Sequence, residues 1–174
     1  AADSRIKNIK LTESYINGKE YVGGIIGRHY GSISNCYNSA NIIGNSYVGG
    51  LAGMVNSEDG VSACYNSGMV RGSELAVGGL VGQMVGPINN CYNTGTVSGN
   101  DKVGGLVGDH HKANQDNLIL NNCFNVGSVS GETDIGRIAG CLEVAIVADN
   151  CYYQSETATQ GIGNDDETPD QTQS

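Results

Sequence analysis

Apolar and small residues alternate with polar ones through much of the chain. In the stretch from Cys91 to Val97, Cys91, Asn93, Gly95 and Val97 fall on one face and Tyr92, Thr94 and Thr96 on the other. The same parity holds for Cys64, Asn66, Gly68 and Val70, and for Cys123, Asn125, Gly127 and Val129. A period of two predicts β-strands. The segment ahead of each such stretch behaves differently, because neighbours such as Leu80 and Val81 put apolar groups on both parities. It predicts either a strand buried on both faces or a bulge or corner at its Gly pair, and the pattern leaves the two open.

These segments recur. Tyr21–Gly27 (YVGGIIG) returns as Tyr47–Gly53, Ala76–Gly82 and Lys102–Gly108, and in degenerate form as Asp134–Gly140. Each copy is followed by a second block: Ile33–Asn38 (ISNCYN), Val61–Asn66, Ile88–Asn93, Leu120–Asn125 and Ala148–Tyr153. A third piece ends most units, as in Val97-Ser98-Gly99 and Val129-Ser130-Gly131. The cysteines Cys36, Cys64, Cys91, Cys123 and Cys151 mark the period, with spacings of 28, 27, 32 and 28 residues. Extra residues fall in one place, between the first and second blocks, at Met54–Gly60 and Asp109–Leu118. Ile6-Lys7-Asn8 matches Ile33-Ser34-Asn35, so the chain is expected to start partway through a unit of a longer protein or with a capping half-turn.

Several short strands in each unit of about 28 residues predict an all-β fold, a β-solenoid resembling a parallel β-helix, with about five rungs stacked at roughly 4.8 Å. The runner-up is an antiparallel sandwich or barrel, which hairpins form without any such period. The expected organisation is an N-terminal half-repeat or cap over residues 1–20, five repeats over 21–153, and a polar acidic tail or linker over 154–174. Equivalent residues should form ladders, with Cys36, Cys64, Cys91, Cys123 and Cys151 as a structural ladder and the asparagines two residues on as another, inside or at a corner. An amide can bond to the rungs above and below.

Composition narrows the function. Gly supplies 27 of 174 residues, which argues against a helical bundle. Nine Lys and Arg stand against 18 Asp and Glu, a net charge of −9. This excludes nucleic acid and anionic membrane surfaces as expected partners. No apolar run approaches the roughly 20 residues of a membrane-spanning helix, and Ala1–Lys10 is too polar for a signal peptide.

The VGGLVG…NCYNTG…VSG pattern over residues 21–153 resembles the GLUG-motif repeats of secreted and surface-attached bacterial proteins. That family includes large adhesin-like proteins and the non-catalytic part of immunoglobulin-A-specific peptidases. The resemblance implies an extracellular, cell-surface or secreted structural or binding region. It brings no catalytic residue to this chain.

Candidate chemistry is sparse. The cysteines read as buried thiols packing as small apolar groups, with a Cys141–Cys151 bridge as the alternative. Asp109, His110 and His111 lie in the long insertion of the fourth unit with Asp116 nearby; they read as a solvated loop and the best place for a specific contact. A metal site would need more fixed ligands, so none is assigned. Glu58-Asp59 and the acids of Asp165–Asp170 lack an EF-hand or calcium-nonapeptide spacing. Paired carboxylates across a cleft, a Ser-His-Asp set and a zinc-peptidase motif have no support, so no enzyme and no cofactor is expected. A regular outward Thr array of the ice-binding kind is absent. Tyr37, Tyr65, Tyr92, Phe124 and Tyr152 form an outward aromatic column, either a platform for sugars or a partner protein, or rings that stack on each other and cover the sheet. The expected function is non-enzymatic: an adhesin-like region contacting host glycan or extracellular protein. The alternatives are an inert spacer, or an accessory part of an IgA-specific metallopeptidase with other domains in the parent chain.

Overall fold

The structure, a computed structural model, describes residues 4–110, 118–143, 145–154 and 161–164. The chain winds around one axis, and every turn adds one short strand to each of five parallel sheets. In one turn these strands are Val61–Ser62 (sheet A), Tyr65–Asn66 (B), Val70–Gly72 (C), Leu75–Gly78 (D) and Val81–Val85 (E). The next turn begins at Ile88–Asn89, back in sheet A. Among the described residues sheets A, B and E hold six strands and sheets C and D hold five. The register follows the repeat, pairing Tyr37 with Tyr65, Tyr65 with Tyr92 and Tyr92 with Phe124. This is the β-solenoid of about five turns that the period predicts. Residues 5–7 pair with residues 32–34 (Ile6 with Ile33), as their sequence match implies.

The alternating stretch is two strands rather than one. Tyr92–Asn93 and Val97–Ser98 belong to different sheets, and the chain bends between them. The parity survives the bend: Cys91, Asn93, Gly95 and Val97 are all buried. At the Gly pair the corner reading holds. Val77 ends up in one apolar cluster, with Ile42, Val70 and Val97. Leu80, two residues past Gly78, joins a second cluster with Ile33, Ile88 and the five repeat cysteines.

Glycine permits this corner because two backbones meet there. A Cβ at Gly82 would lie 2.6 Å from both the Tyr47 carbonyl carbon and the Val48 nitrogen, in the turn below. Sheet E thus rests directly on sheet D. Opposite each such glycine sits a residue with left-handed backbone: Tyr21, Tyr47, Ala76, Lys102 or Asp134.

Between the two apolar clusters, along the chain, come Asn38, Asn66, Asn93 and Asn125. Each side-chain Nδ2 donates to Oδ1 of the next: Asn38 to Asn66 at 2.8 Å, Asn66 to Asn93 at 2.9 Å and Asn93 to Asn125 at 2.9 Å. The same amide closes a local turn. Asn93 Nδ2 donates to the Gly95 carbonyl at 2.8 Å, and the Gly95 N–H donates to Asn93 Oδ1 at 3.2 Å. Its flat face lies on Gly79, where a Cβ would come within 2.6 Å of the amide carbon. The fifth turn has Tyr153 in place of the asparagine and Arg137 in place of this glycine. Asn125 ends the row by donating to the Arg137 carbonyl at 3.0 Å.

The cysteines are free and buried. The Cys64 and Cys91 thiols donate to the carbonyls of Ser62 and Asn89, both at 3.1 Å, and the Cys36 N–H donates to Cys64 Sγ at 3.3 Å. Burial raises the Cys36 thiol above its usual range; the hydrogen bond shared with Cys64, then burial, holds Cys91 well above it. Cys36 and Cys91 are therefore neutral packing groups at pH 7, whereas the hydrogen bond with Cys123 pulls the Cys151 thiol down to about 7. Cys91→Asp should accordingly lose roughly 3–5 kcal/mol of stability, since a carboxylate there has no cationic partner. Urea denaturation of the two proteins checks this; a variant as stable as the parent would contradict the inward assignment.

The expectation of buried free thiols holds, and the alternative Cys141–Cys151 bridge does not form, because Cys141 lies in sheet E beside Asp109, away from the core cluster that holds Cys151. One expected boundary changes. Residues expected in the C-terminal linker also contribute a strand: Ile162–Asn164 adds to sheet E, with Ile162 paired to Ala139 and buried. Gly161-Ile162-Gly163 is a short remnant of the first repeat block, and its apolar residue fills the position that Val81 and Val107 fill below.

Candidate functional surface

The remaining positions form columns along the outer faces and corners of the solenoid. Four are well defined.

The aromatic column lies on sheet B. Ring centroids are 4.2 Å apart for Tyr37 and Tyr65, 4.7 Å for Tyr65 and Tyr92, and 4.7 Å for Tyr92 and Phe124. Tyr152, next in register, is exposed. The rings of Tyr65 and Tyr92 have neighbours on both faces, so a sugar ring cannot stack on them; they present edges and hydroxyls. The outer face of Tyr37 lies under the Lys10 ammonium, 5.4 Å from its centroid. Stacking of rings over the sheet, rather than an open platform, is therefore the observed arrangement. The Tyr37 hydroxyl also reaches Ser67 Oγ at 3.1 Å.

The second and third columns face each other across the D–E corner, seven residues apart in sequence. The left-handed positions carry Tyr21, Tyr47, Ala76, Lys102 and Asp134, and sheet E carries Arg28, Met54, Gln83, Asp109 and Cys141. Tyr21 stacks on Tyr47 at 4.8 Å, and the Arg28 guanidinium sits 3.9 Å from the Tyr21 centroid. Lys102 Nζ pairs with Asp109 Oδ1 at 3.0 Å, while Gln83 Nε2 donates to Asp109 Oδ2 at 3.2 Å. Burial alone would lower the Lys102 ammonium's pKa, but the Asp109 hydrogen bond and charge outweigh it and raise it.

This overturns the solvated-loop reading of Asp109 and His110. Both belong to the strand Val107–His110 and are only 3% and 2% exposed. The sequence places them in an insertion, but the strand runs through its first residues because Asp109 and His110 keep register with Gln83 and Met84. His110 shares an inward column with His29, Val55, Met84 and Leu142. His111 and Asp116, with the acids of 165–170, lie outside the described residues. Asp109 and His110 are on sheet E and the aromatic rings on sheet B, so these candidates do not form one site. Among the described residues no group of three His, Cys, Asp or Glu side chains is arranged to hold a metal ion.

The fourth column was not legible as a site. At the A–B corner every turn has a left-handed residue: Asn8, Asn35, Ala63, Asn90, Asn122 and Asn150. Asn tolerates this backbone better than other side chains. These amides form an outer ladder, with Asn35 Nδ2 donating to Asn8 Oδ1 at 2.6 Å, Asn122 to Asn90 at 3.1 Å and Asn150 to Asn122 at 3.2 Å. Ala63 interrupts it. Beside the interruption lies a groove of about 280 Å³ bounded by Asn8, Lys10, Asn35, Tyr37, Ala63 and Tyr65 among others. The signal was the N-C-Y-N block itself, whose first Asn is replaced only at Ala63.

A parallel β-solenoid with two internal ladders and variable outward columns is the class of protein these features define. Residues 18–43 match the family model described as the GLUG motif. Among solved structures, one of a "putative immunoglobulin A1 protease" from Bacteroides ovatus has the same fold: TM-score 0.66 and 24% identity over 88% of this chain. This chain spans 58% of that one. No curated protein matches the chain.

Proposed function

We propose that the chain is a non-enzymatic display region of a bacterial cell-surface or secreted protein, adhesin-like in action, contacting glycan or extracellular protein through its outward columns. One observation carries this reading: the backbone repeats from turn to turn, while the side chains held at the D–E corner change in kind along the axis, from two tyrosines through a buried alanine to a lysine and an aspartate. Tyr21, Tyr47, Ala76, Lys102 and Asp134 stand on one repeated backbone position. A scaffold that holds its backbone constant and varies its surface is suited to recognition. The resemblance to the Bacteroides ovatus fold supports a second reading, in which this region is an accessory, non-catalytic part of a larger peptidase.

The test is an array of glycans and extracellular matrix proteins probed with the purified chain, with calcium and with chelator, alongside incubation with immunoglobulin A. Selective binding without cleavage is expected. Cleavage of immunoglobulin A by this chain alone would overturn the non-enzymatic reading, and silence across the array would favour the accessory or spacer role.

A further inference from the structure

The interruption of the outer asparagine ladder at Ala63 leaves hydrogen-bonding groups of opposite kind on its two sides. In the turn below, Asn35 gives its Nδ2 to Asn8, and its exposed Oδ1 has no donor among the described residues. In the turn above, Asn90 accepts from Asn122 through Oδ1, and its exposed Nδ2 has no acceptor among the described residues. Asn122 shows the continuous pattern, accepting from Asn150 through Oδ1 and donating to Asn90 through Nδ2. Only a methyl stands at Ala63, and the groove opens there between the ladder and the aromatic column.

We propose that this notch binds the N-acetyl group of an amino sugar. A secondary amide has its N–H and C=O pointing in opposite directions. It therefore donates to Asn35 Oδ1 and accepts from Asn90 Nδ2, filling the place of the missing asparagine. The rest of the sugar lies in the groove, where the Lys10 ammonium and the hydroxyl edges of Tyr37 and Tyr65 meet its ring oxygens and hydroxyls. A volume of about 280 Å³ suits one or two sugar units. The proposal rests on the display reading above and names one ligand class and one site for it.

The experiment is titration of the whole chain with N,N′-diacetylchitobiose, followed by ligand-observed NMR. Cellobiose and chitobiose serve as controls without the acetyl groups, and N-acetylated asparagine peptides as an amide not carried on sugar. The variants are Ala63→Asn, which supplies the missing amide, and Asn35→Ala, which removes the acceptor. The expected result is binding of diacetylchitobiose only, abolished by Ala63→Asn and weakened about tenfold by Asn35→Ala. Ala63→Asn should also melt higher than the parent, so its loss of binding cannot come from misfolding. Binding of diacetylchitobiose unchanged by Ala63→Asn would overturn the proposal, as would no binding, equal binding of cellobiose, or preference for the peptides. Array binding to a ligand without acetamido groups, unaffected by Ala63→Asn, would retain the display reading and remove this site.

Discussion

Exchange of Asn93 for alanine is expected to cost about 3–5 kcal/mol, more than most single substitutions. Asn93 is fully buried and sits third in a row of four amides. Its removal leaves Asn66 Nδ2 and Asn125 Oδ1 each short of a partner, and the Gly95 N–H without its acceptor. Buried polar groups left without partners each cost about 1–3 kcal/mol. The isosteric Asn93→Asp separates this effect from cavity formation. Aspartate still accepts from Asn66 and Gly95, but when ionised it cannot donate to Asn125, and the site is dry. The folded state therefore favours the protonated acid and raises its pKa above the ordinary value near 3.9. The sign follows: stability of this variant is greatest below the unfolded-state pKa and is lost as pH rises through the folded-state value. Urea denaturation at several pH values reads both. A Asn93→Asp protein with no more acid tolerance than the parent would remove the donor role assigned to Asn93.

The second large effect is expected at Gly82. A methyl group there meets the backbone at Tyr47 and Val48, 2.6 Å away, rather than a side chain that can swing aside. Gly82→Ala should destabilise by about 3 kcal/mol or more through strain between sheets D and E. Where space allows, the same exchange usually stabilises by about 0.4–1 kcal/mol, because the unfolded chain loses freedom. The sign alone is therefore diagnostic. Thr94→Ala, on the exposed side of the same turn, is the control and should stay within about 0.5 kcal/mol of the parent. Thermal melts of the three proteins suffice.

The inward half of this architecture was legible because its residues recur at a fixed spacing. Cys91, Asn93 and Val97 keep one parity, and their counterparts a turn away keep it too, so the core and both internal ladders follow from the pattern. The Gly pair was ambiguous for a physical reason. A strand buried on both faces and a corner feeding two clusters place apolar residues in the same order, and only the contact of Gly82 with the turn below separates them. The rings of Tyr37, Tyr65 and Tyr92 were correctly placed outside. Their register, one ring per turn, already implied stacking that hides the ring faces.

The strand ends at Asp109 and His110 and the last strand were missed where the repeat degenerates. Asp109 and His110 follow a copy of the first block and precede extra residues, so they looked like loop, yet the spacing of seven from Lys102 matches that of Arg28 from Tyr21. Extra residues in a turn need not begin where the repeat stops matching; here the strand outlasts the match. The strand Ile162–Asn164 was hidden for the opposite reason, as only Gly161-Ile162-Gly163 survives of its block. The outer asparagine ladder was not legible because a two-residue period distinguishes inward from outward positions only along a strand. Left-handed corners have no place in a two-residue period.

Parallel stacking of turns through the inner asparagine row is the central feature of this fold, and NMR of the uniformly labelled chain tests it most directly. The predicted result is slow exchange of the side-chain amides of Asn38, Asn66, Asn93 and Asn125, with cross-peaks linking each to the next turn and backbone contacts linking Val70 to Val97. Fast-exchanging side-chain amides, or cross-peaks joining strands neighbouring in sequence as hairpins do, would contradict it.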